Sequence, residues 1–274
     1  YTQWKGESIP LNVPARRKAT KGNAFTAIAW NVGGLRSFIE KKSDTLIKLV
    51  KQEQPDLLAL AEHKLQECHV EDFTKKFEEM FPEYKSHWSV STEKKGYSGV
   101  VVLTKKSDDV KEFSMGLLGK EDKEGRVISV TYATHSVIMV YTPNSGQDLK
   151  RLDYRIKTWD PDFRKHVNKL KKPVIAVGDF NAAHLDVDIW NVEAPHIPKS
   201  AGTTTEERES FAKLLSECNL TDTWRHLHGK DTLGHFTYWS VRARNRGTNR
   251  GLVLDYALVS DGTEIEDSFA LPDF

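Results

Sequence analysis

Five short apolar runs along the chain each end in polar residues, and this recurrence limits the folds that the sequence can adopt. The run over 173–177 leads directly into Gly178-Asp179-Phe180-Asn181. Short β-branched runs that stop at turn residues are typical of buried strands that end at the edge of a sheet. We therefore expect the polar residues at the five strand ends to converge at one rim: Asn31, Glu62, Tyr141 with Asn144, Asp179 with Asn181, and Asp255.

Strand-like and helical segments alternate from residue 25 onward, which is typical of α/β proteins. The predicted strands span 25–32, 56–60, 84–91, 98–104, 126–133, 136–141, 173–180, 236–241 and 253–259. The predicted helices span 37–52, 69–81, 149–170, with an interruption near Pro161, and 206–218. This order predicts two packed mixed β-sheets flanked by helices. We expect one domain over 23–274, preceded by a flexible polar lead-in over 1–22.

Charge, cysteine content and hydropathy narrow the classes of function. The net charge of +1 over 274 residues gives no general attraction to nucleic acid, so local basic clusters at 16–21 and 242–250 matter more. Cys68 and Cys218 match no metal-site spacing, which predicts free thiols in a reducing compartment. No stretch has the apolar length of a membrane span and no secretory signal opens the sequence, so we expect an intracellular protein.

The residue types at the strand ends favour phosphoryl chemistry with a hard metal ion. Three carboxylates without a thiol or an obvious histidine cluster suit Mg²⁺, with Mn²⁺ as an alternative. A carboxylate beside an amide can orient a water molecule and hold a phosphate oxygen. Asp179 and Asn181 are also common turn residues, and it is the recurrence at five strand ends that favours the chemical interpretation.

An ordered series of motifs carries a family resemblance from about residue 25 to the end of the sequence. The motifs are Trp30-Asn31-Val32 with Gly34-Leu35-Arg36, Glu62 with Lys64, Gly96-Tyr97-Ser98-Gly99, Gly125-Arg126-Val127, Tyr141-Thr142-Pro143-Asn144, Arg151-Leu152 with Tyr154-Arg155, Gly178-Asp179-Phe180-Asn181, Ser200-Ala201-Gly202-Thr203, and Leu254-Asp255-Tyr256. In this order they resemble the exonuclease III class of AP endonucleases, within the endonuclease/exonuclease/phosphatase superfamily.

The resemblance implies a four-layered α/β sandwich that uses Mg²⁺ to hydrolyse the phosphodiester 5′ to an abasic site. An accompanying 3′-phosphodiesterase or exonuclease activity is also implied. The implied substrate is double-stranded DNA with abasic sites or 3′ blocks, cut by a monomer in the nucleus or a mitochondrion if the source is eukaryotic. The implied roles are Glu62 and Asn31 at the metal, Asp179, Asn181, Tyr141 and Asp255 in catalysis, and Asn144, Arg151 and Tyr97 at the DNA backbone.

A loop rich in arginine, over 242–250, lies where the family inserts a loop beside the abasic pocket. Aromatic residues next to arginines suit a flipped sugar and its phosphates, so Trp239, Arg244 and Arg246 are predicted DNA contacts. Alternatively the aromatic residues belong to a core strand, in which Phe236 and Tyr238 share one face and Trp239 takes the other.

Several positions depart from the family's pattern. Gly33 stands where Asp or Asn is usual, Ala61-Glu62-His63 where Gln-Glu-Thr is usual, Leu252 where a pocket Trp is usual, and Gln147 where some members carry Arg. The family also has a Gly-Ser-Asp-His segment, which would begin where the printed sequence stops at Phe274.

Two hypotheses follow from these departures. The chain is either an active enzyme with this segment beyond residue 274, or a catalytically impaired relative that binds DNA or protein. A third, a relative that acts on phospholipids or inositol phosphates, is disfavoured by the arginine loop.

Overall fold

Ten β-strands and six α-helices make up the regular structure of residues 7–17, 24–272 and 274, the part of the chain that the computed structural model describes. The strands form one sheet of four and one of six. The described residues divide into two compact units. We call 24–142, 169–179 and 274 the Glu62 unit, and 7–17, 143–168 and 180–272 the Asn181 unit. The single domain over 23–274 stays a prediction.

The Glu62 unit holds the four-stranded sheet. Its elements are β1 (Ala27–Asn31), α1 (Leu35–Glu53), β2 (Leu57–Ala61), a 3₁₀ turn (Glu67–His69), α2 (Val70–Met80), β3 (Tyr84–Ser89), β4 (Val100–Lys105), β5 (Val110–Met115), β6 (Val127–Tyr132), β7 (Ser136–Tyr141) and β8 (Val174–Asp179). The order β1-β2-β4-β3 has β1 and β2 parallel and the other pairs antiparallel. Every residue of β2 is buried, which explains why this central strand is a continuous apolar run.

Strands β5 to β8 of the same unit belong to the six-stranded sheet. β5 and β7 each pair antiparallel with β6, and β7 pairs parallel with β8, with Tyr141 opposite Asp179. Gly178 allows this pairing, because a Cβ at that position would lie 2.0 Å from the carbonyl oxygen of Val140. The missing side chain therefore brings the carboxyl ends of β7 and β8 together.

The remaining elements carry the second half of the sequence-predicted site. They are a 3₁₀ turn (Gln147–Leu149), α3 (Leu152–Tyr154), a π-helical turn (Arg155–Trp159), α4 (Asp160–Lys169), 3₁₀ turns (Asp186–Asp188 and Ile197–Lys199), α5 (Thr205–Cys218), β9 (Leu220–Asp222), α6 (Thr223–His228), a 3₁₀ turn (Asn245–Thr248) and β10 (Asp255–Ser260). β9 and β10 pair antiparallel. None of the described helices has the length and apolar character needed to cross a membrane.

The described part of the predicted lead-in, residues 7–17, belongs to the Asn181 unit and contacts its other residues. Ile9 is buried, and its backbone N–H donates to the carbonyl of Thr248. The guanidinium of Arg16 bonds to Asp267 at 3.2 Å and lies 3.3 Å from the ring centre of Phe269. Residues 1–6 and 18–22 of the lead-in lie outside the described residues.

The interruption predicted near Pro161 in the helix over 149–170 is confirmed, because a π-helical turn ends just before Pro161 enters the first turn of α4. The part before Pro161 is divided further than predicted, into a 3₁₀ turn, α3 and the π-helical turn. Proline lacks an N–H and its ring clashes with the carbonyl four residues earlier, which explains the widened turn. The strand predicted over 236–241 is wrong: Tyr238 makes a single bridge to Leu252 and is 47% exposed, whereas Phe236 is buried.

Candidate active site

Asp179 and Asn31 form the centre of the candidate site in the Glu62 unit. Each is the last residue of its strand, and Asn31 Nδ2 donates to Asp179 Oδ2 at 3.0 Å. The backbone N–H of Gly33 donates to Asn31 Oδ1 at 3.0 Å, which fixes the direction of the amide. Asp179 is only 6% exposed, and the neutral amide of Asn31 holds its carboxylate in one orientation.

Glu62 follows β2 in an unusual backbone conformation. Its φ is 59° and that of Lys64 is 58°, and both values lie in the left-handed region that residues with a Cβ disfavour. Lys64 Nζ lies 2.9 Å from Glu62 Oε1 and donates to the carbonyl of Gly33 at 3.1 Å. Strain at a polar strand end is typical of functional positions, and here it turns Glu62 out of the strand direction.

Tyr141 is a protonated phenol in this environment. Burial raises the pKa of Tyr141 above its ordinary value, and the negative charges of Glu62 and Asp179 raise it further. The guanidinium of Arg126 lies 4.7 Å from the ring centre of Tyr141. It donates one hydrogen bond to the backbone carbonyl of Tyr141 and another, of 2.8 Å, to the hydroxyl of Tyr97. The buried Arg126 thus holds both tyrosines, and Tyr141 offers an O–H donor at neutral pH.

The Glu62 unit offers two carboxylates and an amide to a metal ion. Among the described residues, no three His, Cys, Asp or Glu side chains come together as a closed metal site. Mg²⁺ does not need one, because it keeps several water ligands and binds through one or two carboxylates plus substrate phosphates. Glu62, Asp179 and Asn31 therefore supply oxygen atoms of the kind that hard divalent cations bind.

Asn181 and Asn144 meet in the Asn181 unit. Asn144 Nδ2 donates to Asn181 Oδ1 at 2.9 Å, and Asn144 Oδ1 accepts from the N–H of Gly146 at 2.8 Å. Asn181 is 4% exposed and has a φ of 47°, a conformation that Asn tolerates better than most residues. The two amides predicted to bind phosphate are thus ordered into one chain of hydrogen bonds.

A buried ion pair beneath Asn181 was missed as part of the site. Arg155 donates to the carbonyl oxygens of Phe180 and Asn181, at 2.6 and 2.5 Å, and lies 3.1 Å from Glu207. Glu207 Oε2 accepts from Thr204 Oγ1 and from the N–H of Gly202. The spacing Thr204-x-x-Glu207 is a capping box, a sequence signal that marks the start of α5 but not its long-range ion pair.

The other predicted site residues of the Asn181 unit lie in separate local environments. The prediction that Asp255 ends a strand is wrong: Asp255 is the first residue of β10, because the preceding Leu252 makes only isolated bridges to Ile189 and Tyr238. The N–H of Asp255 donates to Thr237 Oγ1 at 3.1 Å. The guanidinium of Arg151 lies 5.2 Å from the ring centre of Tyr154. In the arginine loop, Arg246 lies 4.9 Å from the ring centre of Trp239, and Arg244 is exposed with a φ of 52°.

Comparison with known proteins identifies the family. The sequence model of the Endonuclease/Exonuclease/phosphatase family matches residues 125–274, more than half of the chain. The chain belongs to this family. The ordered motifs of the sequence therefore indicated the right family.

Relatives and a solved structure support the same assignment. A DNA-(apurinic or apyrimidinic site) endonuclease of Dictyostelium discoideum is 39% identical over 242 residues, 87% of this chain but only 63% of that protein. An exodeoxyribonuclease of Bacillus subtilis is 36% identical over 88% of this chain and 91% of its own length. The AP endonuclease LMAP of Leishmania major has a TM-score of 0.78 at 26% identity, covering 95% of this chain and 86% of that structure. This likeness confirms the predicted α/β sandwich class, and the relatives are hydrolases that act as nucleases.

Two departures from the family's pattern acquire a physical description. At Gly33 a backbone N–H and a carbonyl contact Asn31 and Lys64, so the position contributes through its main chain. Leu252 is partly buried against an aliphatic cluster of the Asn181 unit, so an apolar core contact replaces the pocket tryptophan. The cluster comprises Ala183, Ile189, Ala194, Ile197 and Leu254.

Proposed function

We propose that this protein hydrolyses the phosphodiester 5′ to abasic sites in duplex DNA, using Mg²⁺. The observation that carries the proposal is the environment of the Asp179 carboxylate. The amide of Asn31 orients this carboxylate through a hydrogen bond, and the negative charges of Asp179 and Glu62 both raise the pKa of Tyr141. The motif order and the names of the relatives support this substrate class. The exodeoxyribonuclease relative supports an additional 3′-exonuclease or 3′-phosphodiesterase activity. A DNA substrate implies residence in a DNA-containing compartment, and we propose a monomer.

Each side chain has a proposed role that follows from its local chemistry. Glu62 and Asn31 would hold the metal, which would neutralise charge on the phosphate. Asp179 orients the attacking water and accepts its proton, as a fixed carboxylate can. Tyr141, kept protonated, donates to an oxygen on which charge develops.

Residues of the Asn181 unit are proposed to bind the DNA. Asn144 fixes the oxygen end of the Asn181 amide, so that the nitrogen end is directed away from Asn144 and donates to the scissile phosphate. Asp255 is proposed to orient a catalytic histidine, as carboxylates do for histidines elsewhere. Arg151, Trp239, Arg244 and Arg246 of this unit, and Tyr97 of the Glu62 unit, are proposed contacts to the DNA backbone or the abasic pocket.

A nicking assay tests the proposal directly. We expect the protein to cut a duplex that contains one tetrahydrofuran abasic-site analogue, immediately 5′ to the lesion, in Mg²⁺ and not in EDTA. The matched duplex without the lesion serves as the control and is expected to stay intact. An absence of cleavage on abasic, nicked and 3′-blocked duplexes in both Mg²⁺ and Mn²⁺ contradicts the proposal and favours the alternative, a binding module without catalysis, for which Gly33 and Gln147 are the supporting departures.

The arginine loop yields a separate prediction about substrate binding. Replacing Arg244 or Arg246 with alanine is expected to reduce the slope of log Kd against log salt by about 1 for duplex DNA, because each substitution removes one phosphate contact. The measurement is fluorescence anisotropy in EDTA across a range of salt concentrations. Lys213→Ala on the exposed face of α5 is the control of equal charge. An unchanged slope in both arginine variants contradicts the proposed role of the loop.

A further inference from the structure

His63 follows Glu62 directly and is one of the most buried polar side chains of the Glu62 unit, with 1% of its surface exposed. Both ring nitrogens have partners. Nδ1 accepts from the backbone N–H of Leu65 at 3.0 Å, and Nε2 lies 3.1 Å from the carbonyl oxygen of Ser89, to which it donates. The ring therefore connects the segment that follows Glu62 to the end of β3.

The backbone of His63 is held as firmly as its ring. Its N–H donates to the carbonyl of Gly99 at 3.1 Å, and its carbonyl accepts from the N–H of Leu35, at the start of α1, at 3.0 Å. A Cβ on Gly99 would lie 2.4 Å from Cε1 of the ring, so the ring occupies the space that the glycine leaves open. The ring edge also packs against Trp88, with 5.5 Å between ring centres. Three separate parts of the unit thus fix this one residue.

The residues on both sides of His63 carry the strained backbone. Glu62 and Lys64 both have φ near 60°, in the left-handed region that residues other than glycine disfavour. Such conformations persist only where the surroundings hold them. The ring bond to Leu65 and the backbone bonds to Gly99 and Leu35 provide that restraint on the segment between the two strained residues.

We propose that His63 is a positioning residue for Glu62: it holds the carboxylate in the direction that metal binding requires. The inference rests on the proposed function, since it needs Glu62 to be a metal ligand. It adds a residue type that the family's usual Gln-Glu-Thr segment does not contain. Partners that orient a metal ligand typically contribute 10- to 100-fold in affinity.

Metal binding without turnover is the measurement that tests this role. We expect His63→Ala to weaken Mn²⁺ binding, measured by electron paramagnetic resonance in the absence of DNA, by about 10-fold. His63→Asn places an amide oxygen near the position of Nδ1 and keeps an acceptor for Leu65, so its affinity is expected between those of the wild type and the alanine variant. The Kd of both variants for duplex DNA in EDTA is expected to change by less than about two-fold, because no DNA contact is removed.

His87→Ala is the matched control. His87 lies one residue before Trp88 on β3, is half-buried, and stacks on Phe113 at 3.5 Å between ring centres. Because side chains alternate along a strand, His87 lies on the face of β3 opposite Trp88, which contacts His63. It is expected to lower the melting temperature while leaving the Mn²⁺ affinity unchanged.

If folded His63→Ala binds Mn²⁺ with wild-type affinity, the inference is overturned and the proposed function stands. If the alanine variant does not fold, wild-type affinity in His63→Asn overturns the inference in the same way. Failure of the wild type to bind Mn²⁺ overturns the proposed function and this inference with it.

Discussion

Replacing Asp179 with asparagine is expected to lower kcat for cleavage of an abasic duplex by about 10²- to 10⁴-fold, the range that a positioned general base contributes. The substitution keeps the shape of the side chain, and its amide oxygen can still accept from Asn31 Nδ2. What it removes is the negative charge that orients water and accepts a proton. Binding of abasic duplex in EDTA is expected to remain within about three-fold of the wild type, since loss of this charge removes no favourable phosphate contact.

Single-turnover cleavage, followed on a gel, separates the chemical step from product release. Asp109→Asn is the matched control, because Asp109 is an exposed carboxylate that pairs with Lys111, next to β5. Its cleavage rate is expected to equal that of the wild type. If Asp179→Asn cuts at the wild-type rate, Asp179 is not the catalytic base and its role reduces to supporting Asn31.

Loss of the Arg155–Glu207 pair is expected to have the largest effect on stability. Replacing Arg155 with methionine should lower the free energy of unfolding by about 3 to 5 kcal/mol, the range for breaking a buried ion pair at one partner. Glu207 is fully buried, and the substitution leaves its charge without the guanidinium. The variant also loses the two bonds to the carbonyls of Phe180 and Asn181, so cleavage by the folded fraction is expected to fall as well.

Urea unfolding followed by circular dichroism measures this loss of stability. Lys157→Met is the matched control, because Lys157 forms an ion pair of 2.8 Å with Asp153 that is exposed to solvent, two residues along the same helical segment. An exposed pair contributes at most about 1 kcal/mol, so the control is expected to unfold near the wild-type midpoint. Equal losses in the two variants would show that burial of the Arg155 pair does not determine its contribution.

The strand ends were predictable because they depend on local patterns. An apolar run that leads into Asn31, Glu62 or Asp179 identifies a strand and the place where it ends, without knowledge of the partner strands. β5 was missed because Val110–Met115 alternates weakly and two of its interior residues, Lys111 and Glu112, are exposed. The short β9 (Leu220–Asp222) gives too few residues for any period to be detected.

Contacts between distant residues account for what the sequence did not reveal about the site. The Arg155–Glu207 pair joins residues 52 positions apart, and the bond from Asn31 to Asp179 spans 148 positions. Neither separation leaves a periodic signal. The role of Gly33 was equally hidden. A sequence shows that a carboxylate is missing at this position, but it does not show that the backbone N–H of Gly33 orients Asn31. Resemblance to a family identified the residue types, and the geometry relates them to one another.

Gly178 has a consequence for how substitutions at this site are tolerated. Because any Cβ there meets the carbonyl of Val140, even alanine must separate β7 from β8 next to Tyr141 and Asp179. A survey of all single substitutions, scored by repair activity, would therefore rank position 178 with position 179, although the glycine supplies no reacting atom. Sensitivity to mutation at position 178 therefore reflects the spacing of two strands, and we expect no other residue type to be tolerated there.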